Sequence, residues 1–178
     1  MLEAAGVSVE VVAPGVDEAK FKNDQIPEAL VQLLSEAKAK AVSGRRPGDW
    51  VIGSDSAVSV GGRLFDKPAD RDDAAAHLRS FSGKAIELTS GVALARDGRI
   101  EWSATESAVL KLRELSDAFI DSYLDAEWPE VGYCVGVFRM EGRGVQLFDT
   151  ITGSHFTILG MPLLPLLGAL RERGLIDS

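Results

Sequence analysis

The sequence has little of the chemistry that builds disulfides or zinc sites. Among its 178 residues there is one cysteine, Cys134, so no intrachain disulfide can form and no oxidising compartment is indicated. The two histidines, His77 and His155, have no metal-like spacing with the cysteine or with each other. These shortages argue against a disulfide scaffold and against a zinc site.

Positive charge is also scarce. The chain has 19 lysines and arginines against 27 aspartates and glutamates, which gives a formal net charge of −8 at pH 7. Nucleic acids and anionic membranes bind surfaces with an excess of Lys and Arg, so we expect neither as the main partner. An anionic ligand would need cations that are gathered locally or brought by a metal ion.

Long apolar runs are missing as well. The most apolar segment, residues 156–170, is interrupted by Gly160, Pro162 and Pro165, and it is too short to span a bilayer. The amino terminus has neither the basic flank nor the apolar core of a signal peptide. We therefore expect a cytoplasmic protein.

Helical and strand patterns alternate along the chain, which predicts a layered α/β fold. Apolar spacing and end signals predict helices at 26–43, 70–81, 116–126 and roughly 162–173. Strands are predicted at 7–11, 50–55, 86–95, 99–112, 145–151 and 156–159. A hairpin is predicted on Gly61-Gly62, an Arg-Asp-Gly turn joins 86–95 to 99–112, and a turn at Thr152-Gly153 lies between the last two strands.

Asp55 ends the predicted strand 50–55, and Gly53 within it would allow close approach of another backbone. Ligands of open α/β sheets bind at the carboxyl ends of strands, so Asp55 is a candidate functional carboxylate. The other interpretation is a carboxylate that caps or turns the chain, which is the commoner fate of an aspartate after a strand.

Several other charged residues have two interpretations each. Lys38 follows Leu34 by four residues, at the margin of an apolar helix stripe, where a lysine either extends to solvent or faces a cleft. Lys67 precedes Pro68, which restricts its backbone, but it could be a solvated turn lysine. Residues 139–144, with Glu141, form a Gly-rich turn that could cradle phosphate or be a simple hairpin.

Taken together and in order, these segments resemble the Maf family of nucleotide pyrophosphatases, once described as septum-formation proteins. The resemblance covers nearly the whole chain and rests on APGVDE (13–18), LSEAKAKAV (34–42), IGSDSAV (52–58), LFDKP (64–68), SFSGKAIELTSGVAL (80–94) and VGVFRMEGRGVQLFDTITGSHFTILGMPLLPLL (135–167). Each motif is loose, but their shared order and spacing are specific.

The resemblance implies one Maf-like domain over residues 1–178. Its expected fold is of the ITPase-like type: a twisted mixed sheet flanked by helices, with two lobes around a central cleft. The implied activity is metal-dependent hydrolysis of a nucleoside triphosphate to a monophosphate and pyrophosphate. A homodimer is also plausible by resemblance. The alternatives are a nucleotide-binding regulator of septum formation with little turnover and a truncated, inactive form.

The resemblance also assigns roles to individual residues. It makes Asp55 the catalytic carboxylate and places Glu18 and Asp55 at a divalent metal, Mg²⁺ or Mn²⁺. Lys38 and Lys67 fall on phosphate-facing lysines, and Ser56, Ser90 and Glu141 fall on substrate-binding positions. Ser56 and Glu141 match the branch acting on 7-methyl-GTP better than the branches acting on dTTP or UTP, although the match at Ser56 is incomplete.

The chain departs from the family pattern at its start. The family opens with a strand and a Ser-x-x-Arg-Arg loop that holds phosphate, and this segment is absent here. Residues 2–6 instead look like the last turn of a helix, with Gly6 as its stop. The expectation is therefore a chain truncated at its amino terminus. Two other positions also differ, with Ile86 in place of a common histidine and Phe138 in place of a tyrosine.

Overall fold

A computed structural model describes residues 1–21 and 26–177 of the protein. Its strands are β1 (Trp50–Val60), β2 (Arg63–Phe65), β3 (Ala85–Arg96), β4 (Arg99–Leu112) and β5 (Phe148–Thr152). Its α-helices are α1 (Pro27–Ser43), α2 (Arg71–Phe81), α3 (Asp117–Glu127), α4 (His155–Ile158) and α5 (Leu163–Glu172). Short 3₁₀ turns cover Glu3–Ala5, Glu18–Phe21, Glu130–Tyr133 and Arg143–Leu147.

The five strands form one sheet in the order β2-β1-β3-β4-β5. β1 pairs antiparallel with β2, with Val58 opposite Phe65, and β4 pairs antiparallel with β5. β3 and β4 are joined by the two-residue turn Asp97-Gly98, in which both residues have positive φ, as a tight hairpin requires. The predicted α/β class is confirmed, and the sheet is antiparallel where a mixed sheet was expected.

End signals in the sequence located the helices well. α1, α2, α3 and α5 each begin and end within one residue of the predicted bounds. The side chain of Asp70 accepts a hydrogen bond from the backbone N–H of Asp73, and Ser116 accepts one from Phe119. These are the N-terminal caps that satisfy otherwise unpaired helix amides.

Three strand predictions are wrong. Residues 7–11 form no strand, because alternation marks a strand only where a partner is available to pair with it. Residues 156–158 lie in α4 and Leu159 follows as its C-cap, since a short apolar run does not distinguish strand from helix. β1 runs without a break through residues 50–60, so Asp55 lies within a strand and not at its carboxyl end.

The chain divides into two compact units. The first unit comprises Met1–Ser56, Thr89–Glu106 and Ser154–Ser178, and its core includes Val92, Leu94, Leu166, Ala169 and Leu170. The second unit comprises Ala57–Leu88 and Ser107–Gly153, with Leu78, Phe81, Leu110, Ile120 and Leu147 fully buried. Among the described residues, none of the helices has the length and apolarity needed to cross a membrane.

Candidate functional site

Two glycines bring α1 directly against the sheet in the first unit. A Cβ atom at Gly53 on β1 would lie 2.3 Å from the backbone oxygen of Ser35 and 2.6 Å from the backbone nitrogen of Ala39. A Cβ at Gly91 on β3 would lie 2.7 Å from the oxygen of Val31. The close backbone approach expected at Gly53 is therefore confirmed, and the partner is a helix of this chain.

Because α1 lies so close to β1, Lys38 meets the side chain of Asp55. The Lys38 Nζ atom is 2.5 Å from Asp55 Oδ1 and 2.8 Å from Glu18 Oε1. The side chains of Lys38 and Asp55 are only 17% and 14% exposed, whereas that of Glu18 is 48% exposed. Three residues predicted from separate segments of the sequence thus form one cluster with a shielded centre and an open side.

Lys38 keeps its positive charge within this cluster. Burial acts to lower the pKa of the Lys38 ammonium, but the hydrogen bonds to Asp55 and Glu18 outweigh burial and raise that pKa above its ordinary value. Lys38 therefore stays protonated at neutral pH and favours the ionised form of both carboxylates. Asp55 is a paired carboxylate within a strand, and the interpretation of Asp55 as a turn or cap residue is wrong.

The donor set can be tested against the divalent metal that the family implies. Glu18 and Asp55 both place a carboxylate oxygen within 2.8 Å of one cationic nitrogen, so they already converge on a compact cation. Mg²⁺ is commonly bound by one or two carboxylates together with substrate phosphates. Among the described residues no group of three or more His, Cys, Asp or Glu could hold a metal without a substrate. The two carboxylates fit such a substrate-completed site.

A chain of hydroxyl groups lies beside Asp55. Ser56 Oγ is 2.7 Å from Ser90 Oγ, and Ser90 Oγ donates to the backbone oxygen of Thr157 at 2.8 Å. Ser56 Oγ also lies 3.3 Å from the backbone oxygen of Gly160, to which it can donate, so either serine can be the donor of the bond between Ser56 and Ser90. Ser56 and Ser90, predicted from distant segments, are thus in direct contact.

Further hydrogen bonds hold α4 and the following Gly160 in place, and sequence reasoning did not select the side chains that make them. Ser54 Oγ lies 2.9 and 2.7 Å from the backbone oxygens of Gly91 and Gly160, which share its one proton. Thr157, which is fully buried, donates its hydroxyl to Glu106 Oε2 at 2.6 Å. Alternation of polar and apolar residues along β1 and β4 could have indicated on which face of the sheet Ser54 and Glu106 lie. No local sequence pattern shows which residues they hydrogen-bond to.

The first unit also contains a cavity of about 490 Å³ that Lys38 reaches. Its wall includes Gly53, Ser54, Trp50, Val42 and Met161. Apolar side chains with a few polar groups are typical of small-molecule sites. The Lys38 side of the cluster therefore borders a cavity with partly apolar walls.

Lys67 and Glu141 belong to the second unit, and both are exposed. Burial raises the pKa of the Cys134 thiol, and among the charges near it Glu141 raises that pKa while Arg139 and Lys67 lower it.

The hairpin interpretation of residues 139–144 is wrong, because Arg143–Leu147 form a 3₁₀ turn. Gly142 and Gly144 are required by packing: added Cβ atoms would meet the Glu127 carboxylate at 2.8 Å and the Arg139 backbone oxygen at 2.4 Å.

A family model described as Maf-like protein matches residues 1–173. The chain is 44% identical over 181 residues to a nucleoside triphosphate pyrophosphatase of Nitrobacter winogradskyi, covering 99% of this chain and 89% of the relative. It is 43% identical over 183 residues to a 7-methyl-GTP pyrophosphatase of Rhizobium etli, covering 100% and 92%. A nucleoside triphosphate pyrophosphatase of Caulobacter vibrioides is 44% identical over 179 residues, covering 98% and 89%. The chain belongs to the Maf-like protein family.

Proposed function

We propose that this protein hydrolyses nucleoside triphosphates to a nucleoside monophosphate and pyrophosphate. The observation that carries the proposal is the cluster of Asp55, Lys38 and Glu18 in a chain of the Maf-like family. The names of its relatives, nucleoside triphosphate pyrophosphatase and 7-methyl-GTP pyrophosphatase, support the same reaction. The protein is accordingly a hydrolase of acid anhydrides with a nucleotide substrate.

The reaction needs positioning and charge neutralisation more than covalent chemistry. Water attacks the α-phosphorus in line with the departing pyrophosphate. Asp55 is the residue to orient this water or take its proton, because it is paired with the Lys38 ammonium and its side chain is shielded from bulk solvent. Lys38 holds Asp55 in its ionised form and provides positive charge for the phosphates. The proton that leaves water goes to the Asp55 carboxylate.

Charge counting favours a metal-dependent enzyme. Two carboxylates and one ammonium give the cluster a formal charge of −1, and the whole chain carries −8. A triphosphate therefore needs further positive charge to bind here. Glu18 and Asp55 would hold Mg²⁺ or Mn²⁺, which supplies charge neutralisation on the phosphate oxygens when bound.

We propose a preference for 7-methyl-GTP over dTTP and UTP. The support is the presence of Ser56 and Glu141 at the positions that the resemblance links to substrate choice, together with the 7-methyl-GTP pyrophosphatase of Rhizobium etli among the relatives. Lys67, exposed in the second unit, is proposed as a phosphate-binding lysine.

The test is pyrophosphate release across a panel of 7-methyl-GTP, GTP, dTTP and UTP, with Mg²⁺, with Mn²⁺ and with a chelator. We expect Asp55→Asn to reduce kcat by about 10²-fold or more, because the amide cannot accept the proton. Asp149→Asn, at an exposed aspartate on β5, is the matched control and should retain full activity. Equal turnover by Asp55→Asn and wild type would overturn the role of Asp55.

A second candidate is a nucleotide-binding regulator of cell division without turnover. It is favoured by the pairing of both candidate carboxylates with Lys38. A nucleotide that raises the melting temperature but is never cleaved would support it.

For the protein as a whole we propose a cytoplasmic location and a homodimer, with no nucleic acid as partner, since the chain carries a net charge of −8.

A further inference from the structure

The loop at residues 137–143 in the second unit is held in a conformation that its own sequence disfavours. Val137 has φ +56°, a left-handed conformation that is an outlier for a β-branched residue. Val137 is fully buried and Phe138 is 7% exposed. Such a conformation persists only where the surroundings enforce it. The same loop carries Arg139 and Glu141.

One end of the loop is held by Tyr123 of α3. The Tyr123 hydroxyl, on a side chain that is 2% exposed, donates to the backbone oxygen of Val137 at 3.0 Å. Burial and then the nearby Glu127 carboxylate raise the pKa of this phenol well above its ordinary value, so it stays a donor, although a hydrogen bond from the Arg139 N–H acts in the opposite direction. Tyr123 therefore contacts the backbone on both sides of Phe138.

The other end is held one helical turn further along α3. Glu127 Oε1 accepts from the backbone N–H of Arg143 at 3.0 Å, and Gly142 leaves room for this carboxylate. Residues four apart in a helix lie on the same face, so Tyr123 and Glu127 form one surface of α3. Phe138 is further fixed by an edge-to-face contact with Phe148 at 5.0 Å between ring centres.

We propose that Tyr123 and Glu127 are positioning residues that fix the 137–143 loop and thereby the direction of Glu141. This inference rests on the proposed function, since it takes Glu141 as a substrate-binding residue. Neither side chain needs to touch the nucleotide. Loss of either contact should weaken binding of the preferred nucleotide and reduce discrimination between bases, with little effect on the chemical step.

The test compares Tyr123→Phe, Glu127→Ala and Glu127→Gln, using 7-methyl-GTP and dTTP below the melting transition of every variant. Tyr123→Phe and Glu127→Ala should raise KM for the better nucleotide about three- to tenfold, the range expected for one lost hydrogen bond. The change in kcat should stay below about twofold, because the groups around the reacting phosphorus are untouched. Glu127→Gln should restore the wild-type KM, because its amide oxygen still accepts from Arg143.

Tyr133→Phe and Glu130→Ala are matched controls at exposed positions of the same unit and should leave KM unchanged. Three results would overturn the proposal: an unchanged KM in both Tyr123→Phe and Glu127→Ala, a fall in kcat alone, or a Glu127→Gln variant that behaves like Glu127→Ala. Variants that lose stability but keep the wild-type nucleotide selectivity would indicate a merely structural role and would also overturn the proposal.

Two readouts separate this proposal from the proposed function. Hydrogen exchange at the Arg143 amide should accelerate in Glu127→Ala and not in Glu127→Gln. If wild type releases pyrophosphate from no nucleotide, the proposed function fails, and the Kd for 7-methyl-GTP then decides on the positioning role. A Kd for 7-methyl-GTP that is equal in wild type and Glu127→Ala, or a wild type that binds neither nucleotide, would overturn the positioning role as well.

Discussion

At the scale of single residues, Lys38 connects the candidate site. Sequence spacing placed it at the margin of an apolar helix face, where a lysine either extends to solvent or faces a cleft. Its contacts with Asp55 and Glu18 resolve the choice, and no local pattern could have shown them because 17 and 20 positions of sequence separate the partners. Resemblance selected all three residues for the site, but it did not select Ser54, Glu106 or Thr157.

Removing the Lys38 charge should destabilise the fold. Lys38→Met keeps most of the apolar stem but leaves two carboxylates close together, one of them 14% exposed. We expect a loss of about 2 kcal/mol in the free energy of unfolding at pH 7, below the value for a fully buried pair because Glu18 is half exposed. Urea unfolding measures it. Lys40→Met, at an exposed position on α1, is the control and should change stability by less than about 0.5 kcal/mol.

The pKa of Lys38 fixes how the stability difference between wild type and Lys38→Met changes with pH. The pKa of Lys38 is raised in the folded state, so its stabilisation is complete below the unfolded value and is lost as pH rises through the folded value. The stability difference between wild type and Lys38→Met should therefore stay constant from pH 7 to about pH 10 and shrink above it. A difference that grows between pH 10 and 11 would contradict the pairing of Lys38.

At the scale of elements, local signals located the helices but not every strand. Helix ends carry their own chemistry, such as the Asp70 and Ser116 caps, so they can be predicted from a few residues. Strands depend on partners supplied by the rest of the chain. This explains why 7–11 was predicted as a strand that does not form, and why the continuous β1 was predicted as two pieces.

The contact between α1 and the sheet gives a sharp prediction at this scale. Gly53→Ala places a Cβ against backbone atoms of Ser35 and Ala39 that cannot move without shifting the helix. We expect destabilisation of about 3 kcal/mol and a loss of activity larger than the fraction unfolded explains, since Lys38 is carried by the same helix. Thermal unfolding and pyrophosphate release measure the two effects.

Gly168→Ala is the control for that substitution. Gly168 lies inside α5 and an added Cβ meets no atom within 4 Å. Alanine should therefore stabilise the protein by about 0.5–1 kcal/mol through its higher helix propensity. A Gly53→Ala variant as stable as wild type would contradict the close approach of α1 to β1.

At the scale of the whole molecule, sequence order carried more information than any single motif. Each candidate residue had an ordinary structural explanation, yet the ordered set identified the family, and the family match over residues 1–173 confirms it. The sheet was expected to be mixed and is antiparallel, because strand direction depends on long-range pairing that local sequence does not show. Residues that act through others, such as Tyr123 and Glu127, could be found only from their contacts.

In the proposed reaction, water attacks the α-phosphorus. This attack is tested most directly by turnover of 7-methyl-GTP in ¹⁸O-labelled water with Mg²⁺, followed by mass spectrometry of both products. We expect one ¹⁸O atom in the nucleoside monophosphate and none in pyrophosphate, with the labelled product formed about 10²-fold more slowly, or slower still, by Asp55→Asn. Label in pyrophosphate or in free phosphate would contradict it, because the bond broken would then lie beyond the α-phosphorus.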